Sequence, residues 1–227
     1  MKKVLSRIAT LTLAVFVAFG LIIAPATASV HADMFEGSYV KYAKKITLYA
    51  NPKSDSYYTI KMGKRLKGAD SVKVKTSKKK VLAPEYYEGD TDLLVNAKKA
   101  GKAKLTITVK KGGKTETYKI NVTVEKGKNP FKSFKIGKKN LTSEFKNSAF
   151  CNYKVKSSSK QKISIKLQSG MKIKKMLFHY YDPKADSDAN KTIKNNSSIK
   201  LRGDAAIILN IYDKKSKVTF TYMVYTY

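Results

Sequence analysis

Lys104-Leu105-Thr106-Ile107-Thr108-Val109, then Lys110-Lys111-Gly112-Gly113-Lys114, then Tyr118-Lys119-Ile120-Asn121-Val122-Thr123-Val124, is a β-hairpin written in sequence. Leu105, Ile107 and Val109 fall on every second residue, as do Tyr118, Ile120, Val122 and Val124, with Lys, Thr and Asn between them. A period of two puts the apolar residues on one face of a strand, whereas on a helix it would scatter them around the axis. Gly112-Gly113 supplies the positive φ that a tight hairpin requires.

The same texture extends in both directions. Upstream, Ile46 to Ala50, Tyr57 to Met62, Val72 to Thr76, Val81 to Tyr87 and Leu93 to Ala97 read as strands, making seven in the first module with the hairpin pair. Glu125-Lys126-Gly127-Lys128-Asn129-Pro130 then brings charge, Gly and Pro together, which places a domain boundary there. Beyond it the pattern restarts with Phe131 to Ile136, Phe150 to Val155, Ile163 to Leu167, Met171 to Tyr181, Ser198 to Leu201, Ala205 to Tyr212 and Val218 to Tyr227. Asp213-Lys214-Lys215-Ser216 joins the last two. Ile163, Ile165, Leu167, Ile207, Leu209, Ile211, Val218, Phe220, Tyr222 and Val224 are the expected core of this second module, and the polar Asp182 to Asn196 reads as a long exposed loop. The fold class expected is all-β, tandem immunoglobulin-like β-sandwiches over residues 41–126 and 130–227.

Val72 to Leu82 and Leu94 to Val109, with the small-Gly-small turn Lys99-Ala100-Gly101-Lys102-Ala103 opening an alternating strand, resemble the group 2 bacterial immunoglobulin-like domain. That family also occurs in invasin- and intimin-type adhesins. The resemblance covers roughly residues 44–124; Ala83 to Asp90 is longer than the family's usual link, and residues 131–227 carry no comparable motif. It implies spacer or adhesive modules of bacterial surface proteins, with no catalytic residues to transfer.

The first residues point to export. Lys2, Lys3 and Arg7 precede an uncharged apolar run from Ile8 to Ile23, followed by small-residue cleavage sites at Ala26-Thr27-Ala28 and Val30-His31-Ala32. The second site is preferred, giving a signal peptide over residues 1–32. An uncleaved anchor is the alternative; the run is at the short end of a span and is broken by Gly20 and Pro25. No cysteine adjoins either site to accept lipid, and no Leu-Pro-x-Thr-Gly sorting motif follows. With no second run of spanning length, the expected location is secreted or extracellular, either released or held at the cell surface or wall by non-covalent contacts alone.

Lysine and arginine number 47 against 16 acidic residues; without the leader's three basic residues the balance is 44 against 16, a net +28. Such a surface attracts polyanions. Only Arg65 and Arg202 are arginines beyond the leader, so the bidentate fork of nucleic-acid readers is scarce, while lysine acts as a hydrated point charge. The expected partners are an anionic cell-wall polymer or acidic glycan, or a host or bacterial surface ligand, and no specific nucleic acid. Lys78, Lys79, Lys80, Lys98, Lys99, Lys102, Lys110, Lys111 and Lys114 cluster at turns of the first module and are the candidate polyanion contacts. The plainer reading is that they keep the surface soluble.

Catalytic chemistry is sparse. Cys151 and His179 are the one cysteine and the one histidine beyond the leader, each flanked by apolar or aromatic residues that suit strand positions, and a Cys/His enzyme is the distant alternative. The lone cysteine forms no intramolecular disulfide, and Trp, the commonest sugar-stacking platform, is absent. Asp182, Asp186, Asp188 and Asn190 have the oxygen donors of a calcium loop but lack its sixth-position glycine and terminal glutamate. Glu85, Glu88, Asp90 and Asp92 read as an acidic turn. Arg202-Gly203-Asp204, the tripeptide some integrins read, sits between two strands and reads as a turn. No catalytic, cofactor or metal site is assigned, and a non-enzymatic structural or adhesive surface protein is the expected function.

Overall fold

The structure, a computed structural model, describes residues 37–51, 56–155 and 160–227. The expected leader and both its cleavage sites lie outside the described residues. Regular structure in these residues is seventeen strands and two short 3-10 turns, so the described residues are all-β. They divide into two compact units: an N-terminal unit of Ser38–Asn129 with Tyr212–Phe220, and a C-terminal unit of Pro130–Ile211 with Thr221–Tyr227 and Gly37.

The N-terminal unit holds β1 (Tyr39–Lys41), β2 (Lys45–Ala50), β3 (Tyr57–Lys61), β4 (Ser71–Thr76), β5 (Leu82–Glu85), β6 (Leu93–Ala97), β7 (Gly101–Lys111) and β8 (Lys114–Lys126). One sheet has the order β1-β3-β6-β5 and the other β2-β8-β7-β4. Counting β2 as the first strand, the second, fourth and fifth (β3, β5 and β6) form one sheet and the third, sixth and seventh (β4, β7 and β8) form the other, which is the immunoglobulin arrangement, with β1 added beside β3. The first edge of the second sheet, β2, runs parallel to β8. All seven strands read in the sequence are present.

The hairpin that announced the fold pairs Lys111 with Lys114, leaving Gly112 and Gly113 as a two-residue loop with φ of 54° and 75°. Positive φ at both positions is the type I′ turn, whose twist matches the flanking strands. Leu105, Ile107 and Ile120 are wholly buried and meet Leu48, Ile60, Leu93 and Val95 of the same core. Each such side chain contributes about 1.5–3 kcal/mol on burial, and no disulfide supplements this core. Gly101 marks a close approach: a Cβ there would lie 2.9 Å from Val81 Cγ2. Pro84 sits on β5, an edge strand, where a missing N–H costs no ladder bond.

The C-terminal unit holds β9 (Phe131–Ile136), β10 (Lys139–Asn140), β11 (Phe150–Tyr153), β12 (Lys160–Leu167), β13 (Met171–Asp182), β14 (Ser187–Thr192) and β15 (Ser198–Lys200), with residues 205–211 of β16 (Ala205–Asp213) and 221–226 of β17 (Val218–Thr226). One sheet has the order β10-β9-β12-β15; the other has β14-β13-β16-β17, with β11 parallel to β17. Here the four strands β10-β9-β12-β15 form one sheet and the last two, β16 and β17, pair in the other, an immunoglobulin-like order. Phe131, Phe134, Phe145 and Tyr222 form an aromatic cluster, with ring centroids 4.8 Å apart for Phe131–Phe145 and 5.3 Å for the stacked Phe134–Phe145 pair. Phe145 reaches it from the 3-10 turn Thr142–Lys146, a contribution outside the alternating pattern.

Three expectations are corrected. Val218 and Phe220 pack into the N-terminal core, because Val218 pairs with Val40 on β1, a short strand that the sequence pattern did not reveal. Asp182 to Asn196 is not a long loop: Ser187–Thr192 form β14, paired from Ser187↔Asp182 to Thr192↔Leu177. Its residues are exposed on both faces except Ala189, and an exposed edge strand needs no apolar alternation to form. Leu167, expected in the core, is half-buried.

Candidate functional site

The nine turn lysines occupy two places on the N-terminal unit. Lys78, Lys79 and Lys80 lie between β4 and β5, and Lys98 and Lys99 between β6 and β7, tied together where Lys98 N–H donates to the Val81 carbonyl at 2.9 Å. Lys102 opens β7 beside them. Lys110, Lys111 and Lys114 stand at the other end of β7, about 30 Å away at the ordinary strand rise. Lys111 Nζ donates to the Lys67 carbonyl at 2.6 Å, so this lysine is held to its own loop. The nine therefore do not converge on one site.

Between the two ends lies a surface of which reading the turns found only Lys102 and Lys110. The side chains of the β2-β8-β7-β4 sheet that point away from the core are lysine, threonine, serine and asparagine over five successive cross-strand rows. The rows are Lys102-Thr123-Thr47, Lys104-Asn121-Lys45, Lys75-Thr106-Lys119, Lys73-Thr108-Thr117 and Ser71-Lys110-Thr115. All seven lysines are exposed, and the alternate residues Ala103, Leu105, Ile107 and Val109 of β7 are buried beneath. Three strand spacings by four two-residue steps is about 14 by 27 Å. The face thus carries one positive charge per roughly 55 Å², and neighbours lie within the ~8 Å Debye length of physiological salt. The sequence did carry a trace of this face: the polar residues alternating with Leu105, Ile107 and Val109.

Both described arginines are occupied by tyrosine. Arg65 lies 4.0 Å above the Tyr42 ring and 6.0 Å from that of Tyr118, and Arg202 lies 4.7 Å above Tyr180. The exposed cations in the five rows of the sheet face are all lysines. Arg202-Gly203-Asp204 is a turn between β15 and β16, as read. Tyr225 OH donates to Asp204 Oδ1 at 2.8 Å and the Arg202 guanidinium lies over Tyr180, so both charged side chains are engaged within the fold, while Thr226 Oγ1 donates to the Arg202 backbone carbonyl at 2.7 Å.

Cys151 and His179 are not brought together. Cys151 on β11 pairs with β17, and β16 lies between β17 and β13, which carries His179. Three strand spacings, about 14 Å, separate them, far beyond a nucleophile–base hydrogen bond. Burial, with the nearby Glu144 charge, pushes the Cys151 thiol up to about 12, the opposite of an activated thiolate. His179 is buried, its Nδ1 3.2 Å from Asn190 Oδ1 and its Nε2 3.9 Å from Asp188 Oδ1.

The acidic groups serve local structure. Asp182 Oδ1 accepts the Lys184 N–H at 3.0 Å, and Tyr181 OH donates to Asp186, which has a φ of 49° in the β13–β14 turn. Asp92 accepts the Met62 N–H at 3.1 Å and pairs with Lys61 at 3.2 Å. Burial, then the charge of Asp92, raises the Asp90 carboxyl. Among the described residues no three His, Cys, Asp or Glu side chains gather to hold a metal ion, and no helix is long and apolar enough to cross a membrane. An open depression of about 380 Å³ in the C-terminal unit is lined by Gly137, Lys138, Lys139, Tyr153 and Gln161, among others.

Compared with family descriptions and with curated proteins, the sequence matches none. Among solved structures it is similar to an endo-fucoidan hydrolase, MfFcnA4, from glycoside hydrolase family 107, at 15% identity and a TM-score of 0.28, over 81% of this chain and 28% of that one. It is also similar to surface layer protein SbsC, domains 4-9, at 12% identity and a TM-score of 0.30, over 82% of this chain and 30% of that one. A third is a chimeric titin Z1Z2 carrying an exogenous peptide from decorin, at 10% identity and a TM-score of 0.29, over 83% of this chain and 93% of that one. The chain spans less than a third of the length of the first two. The immunoglobulin-like assignment rests on the strand order given above, and these likenesses assign no activity.

Proposed function

We propose that this chain is an exported, non-enzymatic surface protein in which a group 2 bacterial immunoglobulin-like domain and a second immunoglobulin-like sandwich act as a structural or adhesive module. Lysine charge holds it to anionic polymer of the cell envelope, a wall polymer or an acidic glycan. The observation that carries this reading is the division of labour among the cations. Both arginines beyond the leader lie on tyrosine rings, while lysines stand exposed over a whole sheet face and at both ends of one sandwich. Lysine ammoniums make many screened point contacts, not a few bidentate ones.

Binding of this kind weakens steeply with salt, because the Debye length shrinks from about 8 Å at physiological ionic strength to about 3 Å at 1 M. The test is retention on purified cell walls across a salt series, repeated after lysine acetylation. Release by high salt and loss of binding on acetylation are expected. Retention at about 1 M salt, where the Debye length is about 3 Å, or binding that survives acetylation, overturns the proposal.

A further inference from the structure

We infer that the lysine–threonine face of the β2-β8-β7-β4 sheet is a track for one linear polymer, a poly(polyol phosphate) with one phosphodiester per three-carbon unit, lying along the strands. The inference rests on the proposed polyanion binding and names its site and its ligand class. Three features of the face carry it. Each of the five rows offers at least one lysine, and each also offers at least one neutral hydrogen-bonding group, Thr47, Asn121, Thr106, Thr108 or Ser71. Lysine neutralises a phosphate, and a hydroxyl or amide donates to its remaining oxygens or meets the free hydroxyl of the polyol. No acidic residue stands in the five rows; Glu125 follows only beyond them, opposite Tyr49.

Spacing selects the repeat. Rows recur every second residue, a rise of about 6.6–6.8 Å along the strand. Two residues span roughly six backbone bonds, and a phosphorus-to-phosphorus path through a three-carbon polyol also has about six. Successive phosphates therefore fall in step with successive rows. A five-carbon polyol lengthens the path by about two bonds and drifts out of step within a few rows. The face is built on β7 and β8, the two longest strands of the unit, eleven and thirteen residues, so it offers an extended track along the strand direction. Nothing in it provides a stacking platform for a sugar ring.

Five phosphates in register with five rows predict the salt dependence. A single-stranded polyphosphate loses counterions with a log–log slope of about −0.7 per contact, giving about −3.5 and a roughly hundred-fold loss of affinity between 50 and 200 mM salt. The experiment titrates the chain with poly(glycerol phosphate) of defined length, with poly(ribitol phosphate) and with heparin of matched charge. Two four-fold variants are compared with wild type: K45Q/K75Q/K104Q/K119Q on the face, and K78Q/K80Q/K98Q/K111Q at the turns. Both remove the same charge from exposed positions, and melting curves check folding.

Affinity for poly(glycerol phosphate) is expected to climb with chain length up to about five repeats and then level. The face variant should lose at least ten-fold and the turn variant less than three-fold. The salt slope and length dependence of wild type test the register even if a variant does not fold. Equal losses in the two variants, equal or tighter binding of the five-carbon polymer or of heparin, or no levelling with length overturns the track while leaving polyanion binding in place. No binding of any of the three polymers removes the underlying proposal itself.

Discussion

Replacing Tyr49 by Phe tests how the β16–β17 turn is fastened into the N-terminal unit. Asp213 is 4% exposed, and its Oδ2 accepts the Tyr49 OH at 2.9 Å and the Ser216 Oγ at 2.7 Å, while Oδ1 accepts the Lys215 N–H at 2.9 Å. Burial by itself would raise this carboxyl; the hydrogen bonds from Ser216, Lys215 and Tyr49 outweigh it and hold the group below its ordinary value. Tyr49 is pushed up to about 12 by burial, then by its bond to Asp213. A hydrogen bond to a charged group is worth about 1.5–3 kcal/mol, so Tyr49→Phe should destabilise by about 2 kcal/mol at pH 7.

The sign with pH follows from the raised phenol. A group whose folded pKa lies above its unfolded value contributes stability fully below the unfolded value, here about 10, and loses it as pH rises towards about 12. At about 1.36 kcal/mol per unit, the advantage of wild type over the phenylalanine variant should vanish near pH 11–12. Taking the difference between the two proteins cancels the other tyrosines and the lysines. Urea unfolding at pH 7, 9, 10 and 11 measures it. A gap that stays constant across this range, or a variant as stable as wild type at pH 7, would refute the account of this contact. The depressed carboxyl acts in the opposite range: its contribution is present above about pH 4 and is lost as pH falls through the lower folded value.

Gly101→Ala should cost about 1–3 kcal/mol, because the added Cβ meets Val81 Cγ2 at 2.9 Å; an unchanged urea midpoint would show that Val81 yields freely. Phe145→Ala should cost about 3–5 kcal/mol by opening the cluster with Phe131, Phe134 and Tyr222, read from thermal melts of the variant. Cys151 should label with a thiol reagent at pH 8 only after denaturant is added, since its thiol is buried and raised to about 12; rapid labelling of native protein contradicts that burial. Asp204→Asn should lower stability by about 1 kcal/mol through the Tyr225 bond, and integrin-bearing cells should bind wild type and variant alike.

Short-range pattern determined the class. Alternation in Leu105 to Val109 and Tyr118 to Val124, with Gly112-Gly113 between, specified a hairpin whose register the structure shows residue by residue, because strand facing and turn conformation are properties of neighbouring residues. The isolation of Cys151 and the scarcity of arginine were equally legible. Elements that owe their existence to a distant partner were not. β14 is polar on both faces and is a strand only because β13 offers its edge; β1 is three residues long and is made by pairing with β3 and with Val218 and Thr219 of β17. Phe145 reaches its core from a 3-10 turn.

The candidate site shows the same division. Lysine runs at turns are contiguous in sequence and therefore visible, but folding sets them at two ends of β7. The lysines that form a surface, from Lys45 to Lys119, are scattered over four strands. Only cross-strand register, fixed by hydrogen bonds between residues as far apart as Lys45 and Asn121, brings them into one array, and no spacing along the chain encodes that distance.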